Sequence, residues 1–335
     1  MKNTAPTASD LPAAPADTPR VPPLAPWISL EARRAFDGLL REVIPPFATI
    51  EQTRAFYDGE NRKRLKVMRE LFAVETAPRQ IAGVPVDLVV PAGRALELEP
   101  GAPMLLCLHG GGFGWGAGAG ALLEAVPIAA VSGLPVVAVD YRMAPEHRYP
   151  AATDDVVAVY RALLADRPAA AIGLFGCSAG AILTAQVLAR LQAAGEPRPG
   201  ATAMMHASGI ELAGDLLVMA PALTSQTTVT ASSRLIDLPY FEGADAGDPM
   251  VFPSEHPQVL AAFPPSLLMT STRDFAASSV AMMHRRLRAA GAEAELFVFD
   301  GLWHAFHMWG ELPESQELYA RVAEFFLARL PRSGA

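Results

Sequence analysis

The sequence has no run of about 20 apolar residues, only two cysteines and no excess of positive charge. Without such a run we predict no transmembrane helix, and no unbroken apolar segment precedes the first prolines, so a secretory signal is not expected. Cys107 and Cys177 exclude a disulfide framework and a CxxC site, and we expect a cytoplasmic protein. The net charge of −8 argues against nucleic-acid binding, because phosphates require a basic surface.

The composition predicts a protein with a large buried core. Apolar residues make up 51% of the 335 residues and charged residues 19%, which favours one large domain with an appended element. Prolines recur throughout residues 1–26, and we expect a disordered or extended leader there. Two amphipathic helices are predicted next, over about 29–43 and 61–72, with Ser29 and Asn61 as their N-caps.

From residue 81 onwards, short apolar runs alternate with helical stretches. Continuous apolar strands separated by helices are typical of a mainly parallel sheet that is covered on both faces. The segment 221–262 interrupts this alternation, since it is polar, broken by prolines and poor in strand signals; an insert of this length usually has a function. The predicted strands are 84–90, 104–108, 135–139, 172–175, 203–207, 266–269 and 295–299, and the predicted helices are 121–131, 152–165, 179–194, 278–290 and 313–330.

A G-x-S-x-G pentapeptide lies between a predicted strand and a predicted helix. It runs from Gly176 to Gly180, with Ser178 at its centre. A nucleophilic serine needs such a sharp turn, because the turn raises the hydroxyl above the sheet. The alternative is a Gly-Ser turn without chemistry, but the strand before it and the helix after it favour a catalytic role for Ser178. Cys177 is expected to point into the packing, as buried free cysteines commonly do.

Three consecutive glycines follow the predicted strand 104–108. Acyl transfer needs backbone N–H groups aimed at the developing oxyanion, and the amides of Gly111, Gly112 and Ala179 are the candidates. His109 is expected to order this loop by hydrogen bonding. A phosphate cradle or a flexible loop are the alternatives, but the nucleotide-binding glycine motifs are absent from the sequence.

Three motifs occur in a specific order: His-Gly-Gly-Gly at 109–112, Asp-Tyr-Arg-Met-Ala-Pro-Glu-His at 140–147, and the pentapeptide at 176–180. In this combination the chain resembles the hormone-sensitive-lipase-like branch of the α/β-hydrolase carboxylesterases, over about residues 80–330. The resemblance implies the α/β-hydrolase fold, a mostly parallel eight-stranded sheet with helices on both faces and a helical cap. The catalytic domain would then be 81–335, and the cap would combine N-terminal helices within 27–80 with the insert at about 221–262.

In α/β-hydrolases an acid and then a histidine follow the serine along the chain. The resemblance therefore implies His304 as the base, within the family's G-x-x-H-x-F pattern, and Asp274 as the acid, after the preceding strand. Asp300 is an alternative acid, although a solvated turn explains it. His307 lies three residues after His304, but no third ligand is evident and no metal is predicted.

The sequence departs from the family's pattern at three positions. Cys177 stands where the family often has Asp or Thr, Phe275 where it often has Pro, and Ala305 where it often has Gly. None of these changes removes a catalytic group. They indicate a divergent subgroup and leave its substrate preference open.

Aromatic residues near the motifs are candidates for a substrate pocket. Phe113 and Trp115 follow the glycine loop, and Tyr240 and Phe241 lie in the insert. Packing of the cap explains Tyr240 and Phe241 singly, whereas the cap aromatics together would supply an apolar acyl or alcohol pocket. Phe113 and Trp115 are the better individual candidates.

The resemblance thus predicts a serine carboxylic-ester hydrolase for small to medium acyl esters, without a cofactor, metal or membrane partner. Lactone hydrolysis and amidase or deacetylase activity remain open, because the same groups serve each of them. A non-catalytic ligand-binding module of the same fold is the alternative of another class, and it would be expected to lack a triad member. A homodimer is also left open, since the last strand and helix can mediate one in related enzymes.

Overall fold

The computed structural model describes residues 21–224 and 233–331. In these residues eight strands form one sheet, in the order β1-β2-β4-β3-β5-β6-β7-β8. The pairs β1–β2 and β2–β4 are antiparallel and the other pairs are parallel. The strands are β1 Val74–Ile81, β2 Val84–Pro91, β3 Met104–Leu108, β4 Val136–Val139, β5 Ile172–Cys177, β6 Ala201–Met205, β7 Ser266–Arg273 and β8 Ala294–Trp303.

Helices cover both faces of this sheet, as the unbroken apolar runs predict. Every residue of β3 is buried, and its side chains alternate between two hydrophobic clusters. Leu106 and Leu108 pack with α4 and α5, whereas Leu105 and Cys107 pack with α3 and α9. The α-helices are α1 Leu30–Leu39, α2 Ile50–Leu71, α3 Ala119–Ser132, α4 Ala151–Leu163, α5 Ala179–Ala193, α6 Asp215–Thr224, α7 Pro257–Leu260, α8 Ala277–Ala289 and α9 Pro313–Arg329.

The N-terminal helices differ in part from the prediction. Ser29 caps α1 as expected, since its side chain accepts a hydrogen bond from the Ala32 N–H. The second helix begins earlier, at Ile50, and its cap is Thr49. Asn61 is therefore not an N-cap: it is buried inside α2, where its amide lies close to Gly120 of α3. Here a tertiary contact, which the sequence does not reveal, buries a residue whose type is typical of a cap.

The strand β1 was missed by the sequence prediction. Its residues, Val74–Ile81, include a proline and three charged or amide side chains, and it pairs only with β2 at the edge of the sheet. Polar residues and proline are tolerated at a sheet edge, so an edge strand lacks the apolar pattern of a central one. The sheet therefore begins before the predicted domain boundary at residue 81.

The chain before α1 is only partly described. Positions 1–20 of the predicted leader lie outside the described residues. The remainder has no helix or strand, in line with the extended alternative, but it is packed rather than disordered, because Leu24 is buried. Arg273 donates a hydrogen bond to the Pro23 carbonyl at 2.9 Å, and Arg33 donates to the Leu24 carbonyl. These contacts hold the end of the predicted leader against β7 and α1.

A long excursion separates β6 from β7. It contains α6, several short 3-10 turns and α7, and it begins before the predicted insert 221–262, because α6 starts at Asp215. Positions 225–232 of that insert lie outside the described residues. Among the helices that the structure describes, none combines the length and the apolar character needed to cross a membrane.

Candidate active site

Ser178 occupies the sharp turn between β5 and α5. Its backbone has φ 53° and ψ −119°, which a non-glycine residue adopts only under strain. A Cβ at Gly180 would lie 1.8 Å from the Leu108 carbonyl oxygen, and one at Gly176 would lie 2.4 Å from the Gly180 carbonyl carbon. Both glycines are thus required for the close approach of backbone segments that raises Ser178 above the sheet.

The structure brings the three predicted catalytic residues together. Asp274 follows β7 and His304 follows β8, so both lie at the carboxyl ends of neighbouring parallel strands. The His304 Nε2 atom lies 3.0 Å from Ser178 Oγ, and its Nδ1 atom lies 2.8 Å from Asp274 Oδ1. This arrangement lets His304 take the proton of the Ser178 hydroxyl while Asp274 fixes the imidazole.

Asp274 is fully buried and its two oxygens accept four hydrogen bonds. The Ala276 N–H and His304 Nδ1 contact Oδ1. The Thr270 hydroxyl and His206 Nδ1 contact Oδ2. Burial alone would raise the pKa of Asp274, but the two histidines and these hydrogen bonds lower it well below its usual range. Asp274 is therefore an ionised carboxylate at neutral pH.

The alternative acid, Asp300, has other partners. It accepts hydrogen bonds from the Trp27 indole N–H and from the Thr272 hydroxyl, both at 2.9 Å. These contacts tie β8, which contains Asp300, to the N-terminal segment and to β7. Asp300 lies within β8 and not on a turn, so the interpretation as a turn residue was wrong. Among the described residues, Asp300 is also not a hydrogen-bond partner of His304.

His206, which follows β6, was not predicted as a site residue. It is fully buried, and its Nδ1 atom lies 2.8 Å from Asp274 Oδ2. The only available signal was its position near the end of the predicted strand 203–207, which precedes the predicted strand that leads to Asp274. His307, whose pairing with His304 had raised the question of a metal, instead stacks on His206 with ring centroids 5.4 Å apart.

Among the described residues there are two groups of three side chains that could offer ligand atoms to a metal ion, and within each group these atoms lie within 4.8 Å of one another. One is His206, Asp274 and His304, where hydrogen bonds to Asp274 occupy the Nδ1 atom of each imidazole. The other is Glu124, Cys177 and His307, all buried below the Ser178 turn. That no metal is bound stays a prediction.

The glycine loop approaches the Ser178 turn from the end of β3. Gly111 has φ 112° and Gly112 has φ 58°, and a Cβ at Gly111 would lie 2.0 Å from the Trp115 carbonyl oxygen. Within the described chain, no acceptor engages the N–H groups of Gly111, Gly112 or Ala179. These donors are therefore available for a ligand, although their role as an oxyanion hole stays a prediction.

Buried polar groups hold this loop in place. Tyr141 donates its hydroxyl to the His109 carbonyl at 2.6 Å and stacks on the His109 ring. The Gly110 N–H donates to Glu124 Oε1 at 2.8 Å. Burial raises the pKa of Glu124 to about 8, which the bond from Gly110 partly offsets, so Glu124 is mostly protonated at pH 7. No sequence motif indicates this buried carboxyl.

Cys177 points away from the reacting side, as expected. It is fully buried in the cluster between the sheet, α3 and α9, and burial raises the pKa of its thiol well above the usual value. A thiol that stays protonated is a poor nucleophile. Ser178 is therefore the better candidate for the attacking group.

The predicted pocket residues have different surroundings. Phe113, Tyr240 and Phe241 are fully buried, and the first two stack with ring centroids 4.2 Å apart. This favours packing, which was the expectation for Tyr240 and Phe241 singly but not for Phe113. Trp115 is half-buried and stacks on Tyr57 of α2 at 3.9 Å, next to the glycine loop, so it remains a candidate for a pocket wall.

A family model described as the alpha/beta hydrolase fold matches residues 105–308, more than half of the chain. The chain belongs to this family. The match begins in β3 and ends after His304, so it includes the glycine loop, the Ser178 turn and Asp274.

Several relatives of this α/β-hydrolase are named as esterases or acetyl-hydrolases. The putative acetyl-hydrolase LipR of Mycobacterium tuberculosis is 29% identical over 256 residues, which cover 76% of this chain and 80% of LipR. An esterase of Acinetobacter venetianus is 26% identical, and the match covers 75% of this chain and 82% of that esterase. The ethyl acetate hydrolase of Pseudomonas putida is 27% identical, covering 72% and 75%.

Solved structures confirm the predicted fold and the resemblance to hormone-sensitive-lipase-like esterases. An esterase from the bacterial hormone-sensitive lipase family superposes with a TM-score of 0.78 at 26% identity, covering 90% of this chain and 99% of that one. A second esterase gives a TM-score of 0.76 at 29% identity, with 96% and 100% covered.

Proposed function

We propose that this α/β-hydrolase is a serine carboxylic-ester hydrolase that acts through Ser178, His304 and Asp274. The observation that carries the proposal is the continuous line of short contacts from Ser178 Oγ through both nitrogens of His304 to Asp274 Oδ1. The esterase and acetyl-hydrolase names of the relatives support the same chemistry.

In the proposed reaction His304 takes the proton of the Ser178 hydroxyl as Oγ attacks the ester carbonyl. The N–H groups of Gly111, Gly112 and Ala179 hold the oxyanion of the tetrahedral intermediate. The intermediate collapses to an acyl-serine, and the alcohol leaves with the proton from His304. Water then attacks the acyl-serine with His304 as base again, which releases the acid and restores Ser178.

Asp274 supports both steps. As an ionised carboxylate it accepts a hydrogen bond from the Nδ1–H of His304, which fixes the tautomer whose Nε2 lone pair faces Ser178. When Nε2 is protonated, the same carboxylate stabilises the imidazolium. No metal and no organic cofactor enter the proposed reaction.

We further propose that α1, α2 and the excursion between β6 and β7 form a cap over this site. Arg54 of α2 supports this proposal, because its guanidinium donates to the carbonyls of Gly114 and Ala144 beside the glycine loop. The stacked pair Tyr57 and Trp115 supplies an aromatic surface at the same place, suited to a small or medium acyl or alcohol group. The substrate would be a small-molecule ester. The free, buried thiols of Cys107 and Cys177 suit a cytoplasmic location.

Hydrolysis of p-nitrophenyl esters from acetyl to long acyl chains tests the proposed function. We expect turnover to be highest for short to medium acyl chains. The variant Ser178→Ala should have no turnover. Lactones and aryl amides, assayed in parallel, separate the related activities. The proposal fails if the wild-type protein hydrolyses no ester, or if Ser178→Ala retains near wild-type turnover.

A further inference from the structure

Asp274 is held between two imidazoles. His304 contacts Oδ1 and His206 contacts Oδ2, each through Nδ1 at 2.8 Å. The proposed reaction uses only the first of these contacts. His206 is fully buried, unlike His304, so it does not meet substrate or solvent.

The protonation state of His206 follows from its surroundings. Burial lowers its pKa, against the opposing effect of Asp274, so the imidazole is neutral at neutral pH. The ionised carboxylate of Asp274 accepts hydrogen bonds and cannot donate one, so the single proton of His206 must lie on Nδ1. The groups that face its ring are Asp274 after β7, His304 after β8, and Phe306 and His307 in the 3-10 turn that follows.

A second donor on the same carboxylate has two effects. It prevents the carboxylate from rotating, so that Oδ1 keeps facing His304. It also draws negative charge towards Oδ2, which weakens the attraction that Asp274 exerts on the His304 imidazolium. Thr270 donates to the same oxygen at 2.9 Å, and a neutral imidazole adds to that donor without bringing a charge.

We propose that His206 is a positioning residue of this site: a neutral donor that orients Asp274 and limits how readily His304 takes up a proton. This inference rests on the proposed function, since it assigns His206 a part in that reaction. His206 acts only through Asp274 and touches neither Ser178 nor substrate.

Two variants of matched size test the proposal. In His206→Asn the side-chain amide can place an N–H near the position of Nδ1, whereas His206→Leu has no donor. Asn also tolerates the backbone φ of 58° at this position better than Leu does. The measurement is the pH profile of kcat and of kcat/KM on a short-chain p-nitrophenyl ester.

We expect His206→Leu to move the acid limb of kcat/KM to higher pH by about half to one unit, with kcat about tenfold lower and KM unchanged. His206→Asn should keep the limb of the wild type. A purely structural role would lower activity in both variants without moving the limb. An unmoved limb in His206→Leu, or equal shifts in both variants, overturns the proposal.

A measurement on the wild-type protein keeps the test independent of folding and of turnover. Nitrogen NMR of labelled histidines at neutral pH should show His206 as the neutral tautomer protonated at Nδ1. An Nε2-protonated or charged His206 overturns the inference even if the protein is an esterase. Absence of ester hydrolysis with the expected tautomer would instead count against the proposed function alone.

Discussion

Phe275 stacks on His304, with ring centroids 4.2 Å apart and 24° between the ring planes. Phe275 follows Asp274 at a position where the family often has proline. A ring face in this position stabilises the imidazolium that forms during the proposed reaction. The departure from the family's pattern thus places an aromatic group against the proposed base.

Replacing this ring should weaken the proposed reaction. We expect Phe275→Leu to lower kcat/KM about threefold to tenfold, because the cation–π contribution to the imidazolium is lost. For the same reason the acid limb of the profile should move to lower pH. Phe275→Tyr retains the ring face and serves as the control. If Leu and Tyr behave alike in the pH profile, the stacking has no electrostatic role.

The two glycines of the loop should respond differently to alanine. Gly111→Ala places a Cβ 2.0 Å from the Trp115 carbonyl oxygen, so the loop must move, and we expect a loss of about 10²-fold or more in kcat. At Gly112 nothing lies within 4 Å of an added Cβ. Gly112→Ala should therefore cost only about 1–2 kcal/mol of stability for its positive φ and keep most activity. Activity assays with thermal melts of both variants check this, and equal kcat losses would contradict it.

Glu124 should make stability depend on pH. Its pKa is raised from 4.5 to about 8 by burial. Between pH 4.5 and about 8 the folded state therefore keeps a proton on Glu124 that the unfolded state releases. The contribution of Glu124 to stability is complete below pH 4.5 and is lost as the pH rises to about 8. Glu124→Gln stays neutral and can still accept the hydrogen bond from the Gly110 N–H. The free energy of unfolding of the variant, relative to that of the wild type, should therefore rise by about 1.4 kcal/mol per pH unit in this window.

Urea unfolding of wild type and Glu124→Gln at pH 5 and at pH 8 measures this difference. Other titrating groups, Asp274 included, are common to both proteins and cancel in the comparison. A stability difference that is the same at both pH values would mean that Glu124 ionises normally in the folded protein.

Cys177→Ala should retain activity within about threefold of the wild type, because the thiol is buried and protonated. Its stability should fall by about 1 kcal/mol for the lost packing. Kinetics on a short-chain ester and a thermal melt test this. A loss of several orders of magnitude in kcat would show that Cys177 takes part in the reaction.

Much of this site could be predicted from the sequence because local patterns encode it. The apolar run 104–108 and the glycines around Ser178 are set by backbone geometry, so they are visible as motifs. Asp274 and His304 were found through chain order after strands. The motifs depend on neighbours in sequence, and the chain order depends on which strand precedes each residue. The structure brings Ser178, Asp274 and His304 together as both indicated.

His206 and Glu124 could not be found in this way. Their roles come from contacts across strands and helices, at separations of 68 residues for His206 and Asp274 and 14 for Gly110 and Glu124. The strand β1 was missed for a related reason, since only its pairing with β2 makes its polar sequence a strand. In each case a partner distant in sequence decides the structure.

The attachment of α2 to the glycine loop also has a consequence for thermal inactivation. Arg54 holds the carbonyls of Gly114 and Ala144 together with the carboxylate of Glu146, all from one half-exposed side chain. The buried residues of α2, Asn61, Leu65 and Met68, lie further along the helix. The start of α2 can therefore detach from the loop while the remainder of α2 and the sheet stay packed. On heating, activity would then be lost before the sheet unfolds, and it would return on cooling.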